Sequence, residues 1–299
     1  MSYTPPHPPL IPLASYLERY RARDIDEPYA GDWASEPESL PYPLKLARDY
    51  WPQLPAAQLA DMRRAFYALC THIDHQLRVL IGTLREEQVL DNTIILITSD
   101  HGDMLGNHGF YAKRLMYQNS ANVPMILVGT ADDGVVGNGV VDHRLVGLQD
   151  IMPTLLDLCG LPVPETCEGW SMISSRKRET FYAEALSGAK AMRMIRDGRH
   201  KLIWYPAGSR FQLFDLCEDP HELHDLSASA DHREIFKSLQ ERLRGELYGD
   251  DLLAVDGSDF VGLAVPSSPI LQNRGLSGQR GLHYPAPPLQ DPSVVVGGV

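Results

Sequence analysis

Long apolar runs are missing from this chain of 299 residues: although 43% are hydrophobic, no stretch approaches the roughly 18 apolar residues that a membrane span requires. No membrane-spanning helix is expected. Positive charge is also in short supply. Acidic residues outnumber basic ones by 39 to 27, for a formal charge of -12, which argues against a protein that coats nucleic acid, because that task needs a basic face to displace counterions from phosphates. An anionic ligand must then be held by a few local cations or by a metal. Cysteine is scarce and scattered: Cys70, Cys159, Cys167 and Cys217 form no C-x-x-C pair. That spacing excludes zinc-ribbon and thioredoxin-like chemistry and leaves buried free thiols as the expected state. The N-terminus lacks a basic segment followed by an apolar stretch, so no secretion signal is recognisable and a cytoplasmic location is expected.

The length suffices for one large α/β domain, or for a large and a small one. The opening SYTPPHPPLIP reads as a connecting segment, since proline removes backbone donors, and the expectation is that something precedes it. A short helix is predicted around 14–23, then a long Pro/Gly/Trp-bearing loop to about residue 55 that helps shape a pocket. From 56 to 87 apolar residues recur at helical spacing (Leu59, Met62, Phe66, Leu69, Ile73, Leu77, Leu80, Leu84), predicting one long amphipathic helix packed on a sheet. TIILITS at 93–99 is a β-branched apolar run, as expected of a strand buried on both faces of a parallel sheet, and VPMILVG at 123–129 predicts a second such strand. The segment 148–161 predicts a helix ending at Gly160, started by the Asp150 region. Beyond Pro164 the pattern changes to short strands, ETFYAEA, AMRMIRD, HKLIWY and RFQLFDL, which form a small antiparallel sheet covered by a helix over about 231–247. FDLCEDPHE is assigned to a turn within it.

Charge appears abruptly where the 93–99 strand ends. TSDHGDMLGNHGFYAK at 98–113 places Asp100, His101 and Asp103 at a strand terminus, the edge where open α/β sheets bind ligands. A carboxylate and an imidazole side by side suit a divalent cation, and glycine lets the backbone approach closely. On local chemistry alone, Asp100 could equally cap a turn and His101 be a satisfied polar side chain.

This stretch resembles the metal and substrate segment of the sulfatase family, within the alkaline-phosphatase-like superfamily. The resemblance extends over GTLREEQVLDNTIILITSDHGDMLGNHGFYAKRLMYQNSANVPMILVG at 82–129, DIMPTLLDLCGLPVP at 150–164 and FQLFDLCEDPHELHDL at 211–226, and the opening SYTPPHPPL is similar to a family segment that supplies a substrate-contacting histidine. It implies an alkaline-phosphatase-like α/β sheet domain over 1–165, incomplete at its N-terminus, a small α+β domain with an antiparallel sheet over 166–249, and a Gly/Pro-rich tail over 250–299. It implies Asp100 and His101 as ligands of a divalent cation, usually calcium, and His7 and Lys113 as contacts to the sulfate group of a small anionic sulfate ester. A metal and cations there would stabilise charge moving onto the leaving oxygen. Without the resemblance, His7 reads as an exposed loop residue, and Lys113 reads equally as half of a surface ion pair or as a cation for the ligand. His108 is a candidate for supporting the ligands or fixing the loop.

Two departures stand out. After the lysine the family commonly has Tyr-Glu and then Arg-Val-Pro, whereas this chain reads Tyr117-Gln118 and Asn122-Val123-Pro124. Sulfatases of this type also use a Cys/Ser-x-Pro/Ala-Ser-Arg motif, oxidised to formylglycine, and a pair of N-terminal aspartates. Neither is present, and neither Ser175-Arg176 nor Ser209-Arg210 has the motif's context. The expectation is a truncated sulfatase, inactive by itself, whose protein partner is the missing N-terminal segment or a second copy of the chain. The rival readings are a phosphonate or phosphate ester hydrolase of the same superfamily and a non-catalytic remnant or accessory subunit. Arg274, Arg280 and His283 in the tail read as solvated charges.

Overall fold

The computed structural model describes residues 1–131 and 134–267; Arg274, Arg280 and His283 lie outside them. The predicted helices form with small shifts: α1 is Ala14–Arg21, α3 is Ala56–Glu86, α5 is Ile151–Leu158 and α6 is Arg233–Glu246. One helix arises where the sequence predicts loop: α2, Tyr42–Tyr50, buries Tyr42, Pro43, Leu44 and Leu46. Its start carries prolines at 41 and 43, positions where the missing N–H costs nothing. A helical turn, α4, covers Gln118–Ala121.

The strands β1, Ile95–Thr98, and β2, Met125–Val128, correct the predicted environment. They pair with each other in antiparallel register, Ile95 opposite Val128 and Thr98 opposite Met125, in a two-stranded sheet. Neither is buried on both faces, and Ile126 and Val128 are exposed. The apolar sequence reports what these strands can bury, whereas burial itself needs covering layers that the described residues do not supply. For the same reason α3 lies mainly along α1, where Tyr16 stacks on His72 with ring centroids 4.9 Å apart, instead of packing broadly on a sheet. The buried Arg63 of α3 donates to the Leu105 carbonyl at 2.8 Å and pairs with Asp26, fastening the helix to the loop after β1.

The predicted small sheet forms as read: β3 (Phe181–Ala185), β4 (Met192–Arg196), β5 (His200–Tyr205) and β6 (Arg210–Asp215) make an antiparallel meander in sequence order. Alternation splits its side chains between two faces. Ile195, Leu202, Trp204 and Leu213 pack against Leu239, Leu243 and Leu247 of and beyond α6. On the other face Met192, Met194, Ile203, Tyr205 and Phe214 join Leu44 of α2 and Met104, Phe110, Leu115 and Tyr117 of the loop after β1. The meander is therefore the platform on which the candidate site loop is built.

Two local readings hold. Asp150 stands at the start of α5 and anchors it to its surroundings without capping it: one carboxylate oxygen accepts from Gly147 N at 2.9 Å, the other from Trp170 N at 2.8 Å, and Arg178 grips both. Asp215 closes the turn of FDLCEDPHE by accepting from Cys217 N at 3.1 Å and Glu218 N at 3.3 Å. The cysteines are free, as expected, but none is buried: Cys70, Cys159 and Cys217 are exposed and Cys167 is half-buried. Each sits on a helix rim or in a turn where one side faces solvent.

Candidate active site

The end of β1 delivers Asp100 and His101 to the surface. His101 Nδ1 donates to the Gly102 carbonyl at 2.7 Å. A carbonyl accepts only, so in the neutral ring this bond fixes the tautomer and leaves the Nε2 lone pair free. That Nε2 lies 3.5 Å from the Asp100 carboxylate, whose side chain is 85% exposed. Two electron-pair donors thus face one another at the rim, and anchoring the second ring nitrogen on a carbonyl is the usual device for orienting a ligating histidine. The pair fits two positions of a divalent cation site. Among the described residues no group of three or more His, Cys, Asp and Glu side chains gathers to complete it, and calcium prefers about six to eight oxygen-rich positions.

Gly102 is required by close approach. Its N–H donates to Ser120 O at 2.9 Å, and a Cβ there would run into the carbonyl of Asn119. The strand end and the 119–120 turn are thereby locked together.

His7 lies 94 residues from His101 in sequence, yet the structure brings it to the same rim. Its ring lies edge-on to that of His101 with centroids 6.4 Å apart. Its Nδ1 donates to Pro8 O at 2.8 Å, which leaves Nε2 for another partner.

Lys113 follows a loop with unusual backbone. The residues on either side of it, Ala112 and Arg114, have φ of 59° and 76°. For residues with a Cβ this left-handed region costs about 1–2 kcal/mol each, and such strain concentrates where a side chain must be aimed. The half-buried carboxylate of Asp103, which sequence patterning did not assign a role, holds the loop: one oxygen accepts from Leu105 N at 2.9 Å and Ala112 N at 3.2 Å. Burial pushes the Asp103 pKa up, while those two N–H groups and the nearby His101 and Lys113 side chains oppose the shift. Asp103 therefore feels the charge of both the predicted ligand and the predicted cation, and its place beside Asp100 and His101 at the strand end was its signal in the sequence.

His108 has the contacts of a loop-fixing residue. It is fully buried, accepts from Gly31 N at 3.0 Å through Nδ1, and contacts the rings of Trp33, Tyr29 and Tyr117. Burial pushes its pKa down to about 4. Its bonds fix the 29–33 segment against the site loop and do not run to Asp100 or His101.

Gln118, at the first departure, accepts from Lys201 Nζ at 2.8 Å, and its own N–H donates to Glu222 at 2.7 Å. Lys201 is already paired with Glu222. A second carboxylate at 118 would compete for one buried ammonium, so the neutral amide suits this core.

The Sulfatase family model matches residues 1–161, and the model of the C-terminal part of N-sulphoglucosamine sulphohydrolase matches residues 106–247. An arylsulfatase of Clostridium perfringens is 33% identical over 269 residues, covering 87% of this chain and 55% of that protein. A phosphonate monoester hydrolase of Silicibacter pomeroyi shares the fold, with a TM-score of 0.71, 22% identity, and coverage of 85% of this chain and 55% of that one. The phosphonate monoester hydrolase of Agrobacterium radiobacter superposes with a TM-score of 0.57 at 27% identity, covering 68% of this chain and 45% of that one. The chain spans about half the length of the curated relatives it matches. With the sulfatase model matching over half of its residues and an arylsulfatase aligned along most of its length, the chain belongs to the sulfatase family, and its fold is the mixed α/β fold of the alkaline-phosphatase-like superfamily.

Proposed function

We propose that this chain forms the cation- and sulfate-contacting side of an active site that hydrolyses a sulfate ester. The observation that carries the reading is the meeting of His7, Asp100 and His101 at the end of β1, from segments more than ninety residues apart in sequence. Asp100 and His101 would hold a divalent cation, with calcium the expected ion, and when bound it would supply a positive charge against the sulfate oxygens. Lys113 brings an ammonium to the same small anion, which lowers the cost of the charge that accumulates as the S–O bond breaks. His7, steadied by Pro8 O, can donate from Nε2 to the leaving oxygen when its ring is protonated. The nucleophile is not among these groups: the Cys/Ser-x-Pro/Ala-Ser-Arg motif that would carry formylglycine does not occur in the 299 residues. The chain alone is accordingly read as inactive, since no covalent intermediate can divide the hydrolysis into two steps.

A second reading, hydrolysis of a phosphonate monoester, is favoured by the likeness to the Agrobacterium radiobacter enzyme at 27% identity. Tetrahedral anions make similar demands on a metal and a lysine. The test is an assay of the purified chain with an aryl sulfate and an aryl phosphonate in calcium, alone and with a polypeptide carrying the nucleophile motif and the paired aspartates. Sulfate turnover only in the mixture, abolished by Lys113→Ala, is the expected result. Preference for the phosphonate would select the second reading, Lys113-dependent turnover by the chain alone would place a nucleophile within it, and no turnover in any mixture would leave an accessory subunit.

A further inference from the structure

The geometry points to a second oxyanion-binding site, separate from the end of β1, formed by Arg176 and Lys177 beside Trp170. Four cations, Arg144, Arg176, Lys177 and Arg178, surround with Trp170 a recess of about 10 Å³, room for about one water, so that an anion would sit at its mouth, in a chain whose formal charge is -12. Two of them are committed to the fold. Arg178 is bound through both terminal nitrogens to the buried Asp150 carboxylate, each at 2.7 Å. Arg144 pairs with Asp142 and donates to the carbonyls of Ser174 at 2.8 Å and Met172 at 2.5 Å, which pins the turn leading into Arg176.

The other two are differently placed. Arg176 and Lys177 are exposed, adjacent, and in no ion pair within 4 Å among the described residues, although Lys177 is near enough to Asp142 to stabilise its charge. The Arg176 guanidinium lies 3.8 Å from the centre of the Trp170 ring, with that of Arg178 at 4.4 Å. Stacking on an indole holds a guanidinium's plane and leaves its edge N–H groups free. A planar donor fork held this way loses less entropy on binding than a free side chain would, and it matches two oxygens of a sulfate, phosphate or carboxylate. Counting Asp142 and Asp150 against the four cations leaves an excess of two positive charges, on the two side chains that face solvent. Like charges held side by side repel, and an anion with at least two oxygens relieves that repulsion.

The ligand class is therefore a free oxyanion or the anionic groups of a polymer. This site does not depend on hydrolysis at β1, so its failure and the failure of the sulfatase reading are separate. The test follows the Trp170 indole N–H by NMR, assigned with Trp170→Phe, while sodium sulfate, sodium phosphate, sodium acetate or dextran sulfate replaces sodium chloride at constant ionic strength. Saturable shifts are expected with sulfate and phosphate and weaker ones with acetate, and Arg176→Gln/Lys177→Gln should weaken binding by about tenfold or more without lowering Tm. Tighter binding of dextran sulfate per sulfate group would assign the site to a polyanion, and equal binding to the free ion. Lys113→Ala should leave the Trp170 titration unchanged. Shifts matched by chloride, or an unaltered titration in the double variant, would overturn the proposal.

Discussion

Lys201 on β5 donates to Glu222 across 2.6 Å, and both side chains are 1% exposed. The ammonium also reaches Met116 O at 2.9 Å and Gln118 at 2.8 Å, so the meander holds the segment just after Lys113 through a single buried charge. Burial pushes the Lys201 pKa down, and Glu222 opposes that shift. Removing one partner should strand the other: Lys201→Met or Glu222→Gln is expected to cost about 3 kcal/mol or more, whereas the double variant should recover part of the loss. Urea denaturation in a double-mutant cycle measures this, and additive single effects would mean that the pair is not coupled.

Gly102→Ala is expected to destabilise by about 3 kcal/mol, the upper end of overpacking costs, because its Cβ meets a backbone carbonyl that cannot rotate away. Chemical denaturation checks it. A loss below about 0.5 kcal/mol, the size of an ordinary surface change, would show that strand end and 119–120 turn are not locked.

His108 should make stability depend on pH in a defined window. Its folded pKa is pushed down to about 4 from an ordinary value of 6.5, so the unfolded chain binds the proton first. The contribution is complete above the unfolded value and is lost as pH falls from about 6.5 to 4, with an upper limit on the order of 3 kcal/mol. Denaturation midpoints for the wild type and His108→Gln should converge across that range as acid is added. Parallel curves would show that His108 titrates alike in both states.

Calcium binding to the chain alone should be weak, with Kd of about 1 mM or higher, because Asp100 and His101 supply only two donors. Calorimetry should find that residual affinity lost in Asp100→Ala, and EGTA should leave Tm unchanged. Tight stoichiometric binding that survives both Asp100→Ala and His101→Ala would remove the pair from the cation site.

Much of this was legible in the sequence wherever the cause is local. HKLIWY and RFQLFDL are short runs rich in apolar and aromatic residues bounded by turn residues, and that signal placed β5 and β6, whereas their burial on both faces came from packing. The 3.6-residue recurrence from Leu59 to Leu84 fixed α3 within a residue of its end at Glu86. Helix α2 was obscured because Pro41 and Pro43 read as loop signals, although proline at a helix start was the clue that could have found it. At the site, the Asp-His-Gly triplet and the similarity to family segments nominated Asp100, His101, Lys113 and His7, gave Asp103 a place at the strand end without a role, and gave nothing to Lys201 or Glu222.

The sequence by itself determined most of the helices and strands, α2 excepted, and which side chains have the chemistry to be nominated for a cation or a sulfate, because periodicity, glycine at a close approach and residue chemistry act over a few neighbours. Tertiary structure alone decided that β1 pairs antiparallel with β2 and stays half-exposed, that His108 is drawn into an aromatic core instead of the rim, that His7 meets His101, and that a lysine on a strand is buried against Glu222. Each of these depends on which distant segment excludes water from a given face, and desolvation is a property of the assembled packing that no short window of sequence contains.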